Sequence, residues 1–480
     1  MTKKKFIIFF AFGLIFSFFS IFFKTHDVTT MSLNKDDVQC EKIDLDGPII
    51  KSLSPTKCQQ YIVGRPLIDI KYDDTSGVDI SSVKLYVNYN NVTNDCLITE
   101  EGISYIPNKK FKRGNQIMRM EICDQSTNKN KSVFEWYFTV GTPVYNHYYG
   151  LLHSHTSASD GHGNYGDAYY LARDKAQLDF FAITDHSGMY DNYLMCNIID
   201  GSKSKEWTEL IKCAEKFTIK NEFIALNGFE MTYPFNVEKK MGHINVFNTN
   251  GFTYPDSSNI TLENFYMLLY EQENAIGQFN HPGKIFGDFD NFKYSHYGDE
   301  VMSLLEVENG YNEDVSKNIK SFDLYQLALD KGWHLAPTCN QDNHRVDFGI
   351  ANEIRTVILA TDLSKDALYD SLKNMRVYAT EDKNIKIDYS VNNLPLGSII
   401  NKSSNLNFSI SVIDNDSSDI IDEIQVISNK GKIIKNKNFN SNLAKLEFTL
   451  KPIDNAFYYV KVIQKNNKIS VTAPIWIENK

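Results

Sequence analysis

Ten of the eleven histidines lie between residues 147 and 344, and the exception, His26, stands far upstream. His153 and His155 form an H-x-H at the end of the apolar Gly150-Leu151-Leu152. Two residues apart on an extended strand, their rings point to one side and can reach a single ion. Asp160 follows in Ser159-Asp160-Gly161, and Asp185-His186 terminates a run ending in Ile183-Thr184. Glu230 closes Ala225-Leu226-Asn227-Gly228-Phe229, and His243 begins His243-Ile244-Asn245-Val246-Phe247. His281 ends Gly277-Gln278-Phe279-Asn280, and Asp342-x-His344 completes the series. A lone strand-end histidine is usually a packing or capping group. Six imidazoles and three carboxylates at the ends of successive strands are a set of metal-ligand types. Packed together without cations they carry a heavy desolvation cost, which bound divalent ions remove.

Such a set must be held by elements that bring strand ends together. Across 146–380 apolar strand candidates at 178–183, 223–226, 243–247 and 301–305 alternate with helical spacing at 261–273 and 321–331. That rhythm predicts a parallel α/β sheet or barrel with helices covering strands buried on both faces. In a (β/α) barrel the strand ends converge on one face, where that fold builds its sites. The flanks read differently. Residues 47–145 alternate as β at 83–87 and again at 133–140, and about seven short strands in about 100 residues is sandwich spacing. Residues 382–480 return to β alternation, with clear cases at 406–412 and 457–463. Neither flank holds a cluster of chemically competent residues, so each is expected to brace the middle region.

At the start of the chain Lys3, Lys4 and Lys5 precede an apolar run from Phe6 to Phe23. Apolar on every face, residues 1–30 are expected to act as a signal peptide or membrane anchor, which places the rest outside the cytoplasm. The chain meets the membrane through this segment if it is uncleaved. Of the seven cysteines, Cys96 and Cys123 are candidates to tie neighbouring strands, the alternative being buried free thiols. No C-x-x-C occurs, so neither a zinc ribbon nor a dithiol redox site is supported. A length of 480 residues argues against one small binding module, and a net charge of -10 argues against extended nucleic acid as a partner.

The succession H-x-H, S-D-G, T-D-H-S, a strand-end glutamate, G-H-I-N-V-F, N-H-P-G and N-Q-D-N-H resembles the PHP domain, named for polymerases and histidinol phosphatases. The wording G-F-E-M-T-Y-P and G-H-I-N-V-F, with Arg376-Val377-Tyr378-Ala379-Thr380, resembles most its CehA/McbA-like metallohydrolase branch. The run from Gly77 to Val87, with Trp136-Tyr137-Phe138-Thr139, resembles bacterial immunoglobulin-like domains. The resemblance implies a multidomain chain. Residues 47–145 form an immunoglobulin-like β-sandwich, 146–380 a PHP-type distorted (β/α)7 TIM-like barrel, and 382–480 a C-terminal β domain. It also implies two or three divalent metal ions, Mn²⁺, Fe²⁺ or Zn²⁺. One ion would take His153, His155 and Asp342. Glu230 would bridge it to a second, held also by His243 and His281, and a third would take Asp160, His186 and His344.

The function this implies is an extracytoplasmic phosphoesterase that hydrolyses a small phosphodiester or phosphomonoester with metal-activated water. A carboxyl ester, carbamate or amide substrate is the alternative, and a non-catalytic surface binding protein is a third. Around the ligands, Asp185 is expected to orient a ligand ring or a water, or else to accept backbone hydrogen bonds at a turn. Arg345 is a candidate phosphate clamp through its planar guanidinium. His162 and His334 are candidate general acids.

Overall fold

Asn146–Leu151, Phe180–Ile183 and Ile224–Thr232 pair in parallel, with Phe180–Ile183 in the middle. Their Phe, Ile, Ala and Leu side chains are covered by helices, as a strand buried on both faces requires. One cover is Lys205–Phe217, started by Ser204, whose Oγ accepts from the Trp207 amide at 3.1 Å. It buries Trp207, Leu210 and Ala214, one stripe at helical spacing. The computed structural model describes residues 44–478 apart from 61, 202, 234–240, 257–260, 273 and 403–404. The leader expected at 1–30 and Cys40 lie outside the described residues. Among the described residues no helix is long and apolar enough to cross a membrane.

The middle sheet is not all parallel, contrary to the rhythm of the sequence. His243–Phe247 runs antiparallel to both Ile224–Thr232 and Ile276–Asn280. Only residues 233–242 join it to the strand before, fewer than the dozen or so that a helical crossover needs, so the strand returns as its neighbour's antiparallel partner. The reversal has a use. Thr232 faces His243 and His243 faces Asn280 in the register, so the first residue of the reversed strand lies at the same edge as the ends of its neighbours. Parallel pairing resumes from Ile276–Asn280 to Met302–Asn309 and on to Ala336–Asn340.

These are seven strands, yet among the described residues no ladder joins the last to the first. The free edge of Asn146–Leu151 is taken by Arg355–Ala360, which pairs with it antiparallel. The two ends meet beyond their strands instead. Ser154 and Asn343 form a parallel bridge, and the His155 amide donates to the Asn343 carbonyl at 3.0 Å. The Leu152 amide donates to Asn340 Oδ1 at 2.6 Å.

The flanks are β, as expected. In the first, a sheet ordered through Ile49–Ser54, Ile68–Asp73, Gly102–Tyr105 and Leu97–Ile98 faces one containing Val78–Val87, Gly114–Asp124 and Lys131–Val140. Ile68, Ile70 and Ile103 from one sheet share a core with Leu85, Met118, Met120 and Phe138 from the other. The last region is less separate than its sequence suggests. Its strand Ile469–Thr472 pairs with Val377–Thr380, so the middle sheet continues into it through Ala456–Gln464 and Ile421–Ser428. A single apolar core takes Tyr137 from the first region, Leu359 and Tyr369 from the second, and Ile387 and Tyr458 from the third. The six described cysteines are all free, so the expected Cys96–Cys123 tie is not formed. Cys96 instead points its Sγ at the Val92 carbonyl, 3.2 Å away.

Candidate metal centre

The ligand-type residues collect at one edge of the sheet. His153 and His155 continue Asn146–Leu151, His186 follows Phe180–Ile183 by three residues, and Glu230 lies near the end of Ile224–Thr232. His281 follows Ile276–Asn280 directly, and Asp342 and His344 follow Ala336–Asn340. Backbone bonds lock these extensions to one another. Thr184 donates to the Ser154 carbonyl at 2.9 Å, Glu230 to that of Asp185 at 3.0 Å, and Asp342 to that of His153 at 3.2 Å.

Glu230 is the hub. Its carboxylate lies 2.7 Å from His186 Nδ1, 3.3 Å from His153 Nε2, 3.3 Å from His243 Nδ1, 3.5 Å from His281 Nε2 and 3.6 Å from His155 Nε2. Asp342 Oδ1 stands 3.1 Å from His155 Nε2 and 3.3 Å from His153 Nε2. Asp160 Oδ1 stands 3.1 Å from His344 Nε2 and 3.6 Å from His186 Nε2. Three groups thus present ligand atoms within 4.8 Å of one another: His153, His155 and Asp342; His153, Glu230 and His281; and His155, Asp160, His186 and His344. The first contains the set expected for one ion; the second has His153 where His243 was expected beside Glu230 and His281. In the third, His155 joins the expected three.

The residues fit divalent ions on two counts. Ligand atoms about 2.1 Å from a common ion, at tetrahedral or octahedral angles, stand roughly 3.0–3.4 Å apart. His153 Nε2 and His155 Nε2 are 3.1 Å apart, and each lies 3.1–3.3 Å from Asp342 Oδ1. In addition, Asp342 Oδ1 is buried and makes no hydrogen bond, although imidazole nitrogens surround it.

Charge in the cluster points the same way. Burial alone disfavours the ionised form of Glu230, but the rings of His243, His186 and His153 outweigh it and hold the carboxyl well below the usual range. Asp342 behaves likewise, burial being overcome by His153 and His155. Burial disfavours the charged His186 ring, yet Glu230 and Asp160 raise its pKa to about 10. His153 is also raised, with Asp342, Glu306 and Glu230 overcoming its burial, whereas for His155 burial wins and the pKa falls. The carboxylates therefore demand positive charge between them, which protons on some of the rings supply when no cation does.

The cluster opens into a cavity of about 480 Å³ lined by Asp160, His186, Glu230, His243, Asp342 and His344 and walled by Met189, Phe286 and Thr232. Phe286 packs over His281 with ring centres 4.2 Å apart.

The four expected accessory residues fare differently. Asp185 is buried and accepts from the Thr156 amide at 2.6 Å, Thr156 Oγ1 at 2.8 Å and Ser159 Oγ at 2.5 Å. It touches no ligand ring directly; it holds the loop after the H-x-H, and Ser159 Oγ, which donates to it, stands 3.4 Å from His155 Nδ1. His162 sits exposed at the rim with Nδ1 3.0 Å from the His344 carbonyl. Arg345 is a correction. Its guanidinium lies over the Tyr311 ring at 4.5 Å and does not line the cavity. His334 is a second correction. It precedes Ala336–Asn340 whereas Asp342 follows it, and a five-residue strand separates its ends by about 16 Å. There His334 joins Asp299 at 2.8 Å to Glu478 at 2.9 Å, a contact between regions.

Sequence reasoning missed Glu306 and Asn280. Asn280 Nδ2 donates to Glu230 Oε1 at 2.8 Å, and Glu306 Oε1 lies 2.9 Å from His153 Nδ1. The available signal was an acid inside the apolar Leu304-Leu305-Glu306-Val307.

No family model matches the chain. It is 22% identical to an uncharacterised protein of Chlamydia muridarum over 504 aligned residues, which cover 93% of this chain and 77% of that protein. An uncharacterised protein of Chlamydia pneumoniae is 21% identical with the same coverage. Among solved structures, a two-domain Bacteroides vulgatus protein described as containing a predicted PHP-like metal-dependent phosphoesterase is 16% identical. It overlaps 69% of this chain and 95% of its own, at a TM-score of 0.38.

Proposed function

We propose that the chain is a divalent-metal-dependent hydrolase of small phosphate esters, built on a distorted seven-stranded barrel of PHP type. The observation that carries this reading is the approach of five imidazoles to the one buried carboxylate of Glu230, at 2.7 to 3.6 Å. The Ser154–Asn343 bridge supports the barrel, since it draws the first and seventh strands together at the ligand edge. His153, His155 and Asp342 would hold one ion, Glu230, His243 and His281 a second, and Asp160, His186 and His344 a third. Ions bound there would supply Lewis acidity and a water of lowered pKa.

The protein's own groups set what else the site can do. Three ligand carboxylates, Asp160, Glu230 and Asp342, and the Glu306 carboxylate against His153 carry four negative charges; two divalent ions balance them and three exceed them by two. A pocket loaded with three ions is net positive and favours an anionic substrate. A cavity of about 480 Å³ suits a small molecule. Phe286 and Met189 give it an apolar wall. That wall, together with the lack of any lysine or arginine among the described lining residues, favours a second reading as a carboxyl ester, carbamate or amide hydrolase. Export through the Lys3–Lys5 and Phe6–Phe23 leader, the CehA/McbA-like branch and an immunoglobulin-like first domain belong to the same proposal and rest on the motifs quoted above.

The test is metal analysis of the purified protein together with hydrolysis of chromogenic phosphodiester, phosphomonoester and carboxyl ester substrates in Mn²⁺, Fe²⁺ or Zn²⁺. Chelator-sensitive phosphate ester cleavage is expected. Cleavage of the carboxyl ester alone would move the assignment to the second reading, and bound metal with no turnover would leave a binding protein.

A further inference from the structure

We infer that Glu306 is a positioning residue whose single carboxylate holds two metal ligands, His153 and His281, at once. The inference rests on the metal reading above. Glu306 is wholly buried in Met302–Asn309. Its Oε1 receives His153 Nδ1 at 2.9 Å, Asn340 Nδ2 at 3.0 Å and Gln278 Nε2 at 3.4 Å. Its Oε2 receives the His281 amide at 2.8 Å and Asn309 Nδ2 at 2.9 Å.

Three consequences follow from chemistry alone. A carboxylate at this position accepts, so a His153 that binds an ion would keep its proton on Nδ1 and turn the Nε2 lone pair toward His155, Glu230 and Asp342. The same carboxylate fixes the backbone at His281, whose φ of 28° lies in the region that non-glycine residues avoid. One side chain thus orients the ring of His153 and the chain entering His281, two residues that share one group with Glu230. Its reach extends further, because Gln278 Nε2 also donates to Asn280 Oδ1 at 2.9 Å, and Asn280 Nδ2 donates to Glu230. The bridging carboxylate and Glu306 are therefore the two ends of one amide chain.

All five groups around Glu306 are donors. Glutamine at this position would have to turn its own NH₂ toward a donor, so Glu306→Gln removes the charge and breaks at least one contact. The experiment measures Mn²⁺ and Zn²⁺ affinity and stoichiometry of the full chain, wild type and Glu306→Gln, with melting midpoints in chelator and in metal. Affinity is expected to fall about 10–100-fold, and the rise in midpoint on adding metal should shrink. A merely structural role would lower the midpoint in chelator and leave that rise and the affinity unchanged; such a result overturns the inference. If Glu306→Gln does not fold, Glu306→Asp keeps an all-acceptor carboxylate but draws it back from His153, and weaker binding is again expected. Wild-type affinity in a folded Glu306→Asp protein would reduce Glu306 to a core residue. Should the wild-type chain itself bind neither metal, the metal reading fails first, and the role of Glu306 falls with it.

Discussion

Glu230 Oε2 lies 2.7 Å from His186 Nδ1, the nearest approach of any imidazole to that carboxylate. The proposed assignment gives His186 to the third ion and Glu230 to the first two, so the contact would couple the third group to the others. Glu230→Gln keeps the volume and removes the charge that five rings converge on. The variant should lose at least one bound metal and more than about 100-fold of turnover, since even residues behind a ligand typically cost 10–100-fold. Metal content and activity on one preparation check it; full metal with wild-type turnover would remove Glu230 from the centre.

His344 stands farther out, its side chain 29% exposed and paired with Asp160 at 3.1 Å. His344→Ala should release chiefly the ion of the Asp160 group and keep the His153, His155 and Asp342 group loaded. Partial metal loss with residual turnover is expected, milder than for Glu230→Gln. Equal and complete loss in both variants would show that the groups do not fill separately.

His334 predicts a pH effect on stability with no effect on the metals. Burial disfavours its charged ring, but Asp299 and Glu478 outweigh this and raise its pKa above the ordinary value. A raised folded value means the contribution is full below about pH 6.5 and is lost as the pH climbs through that folded value. His334→Gln should therefore cost about 1–3 kcal/mol at low pH, with the gap to wild type closing in alkaline buffer. Melting curves from pH 5 to 9 would show it, and a gap that widens with pH would refute the ion-paired imidazolium.

Removing the two β flanks should have unlike consequences. The first region meets the middle one through polar seams such as Asn115 with Asp362 at 2.7 Å and Lys57 with Asp366 at 2.6 Å, and adds Cys58 and Tyr137 to the shared apolar core. Its deletion should leave metal content intact. Truncation at Asp382 instead strips Ile469–Thr472 from Val377–Thr380 and bares a sheet edge, which invites aggregation. Soluble yield and metal content of both truncations test the contrast.

Since the described cysteines are unpaired, adding a reductant should leave the melting midpoint unchanged. A midpoint that drops by several degrees in reductant would reveal a disulfide and revive the Cys96–Cys123 pairing.

Most of the nine ligand-type residues were legible from the chain because they stand at or just beyond a strand end, where apolar periodicity stops, whereas Asp160 lies in the loop after His155 and was legible only through its motif. The helices at 262–270 and 322–330 were legible for a related reason: spacing along one turn is a local property that a window of sequence contains. Three things were not. The reversal of His243–Phe247 depends on how short a connection can be, and it left the reading of His243 intact only because a reversed strand presents its first residue where its neighbours present their last. The place of His334 depends on which end of its strand faces the cluster, a matter of direction that a histidine beside an apolar run does not carry. Glu306 lies mid-strand, 153 residues from the ring it orients. Partners that distant are brought together only when the sheet curls, so tertiary packing alone decided that this carboxylate stands against the His153 ring.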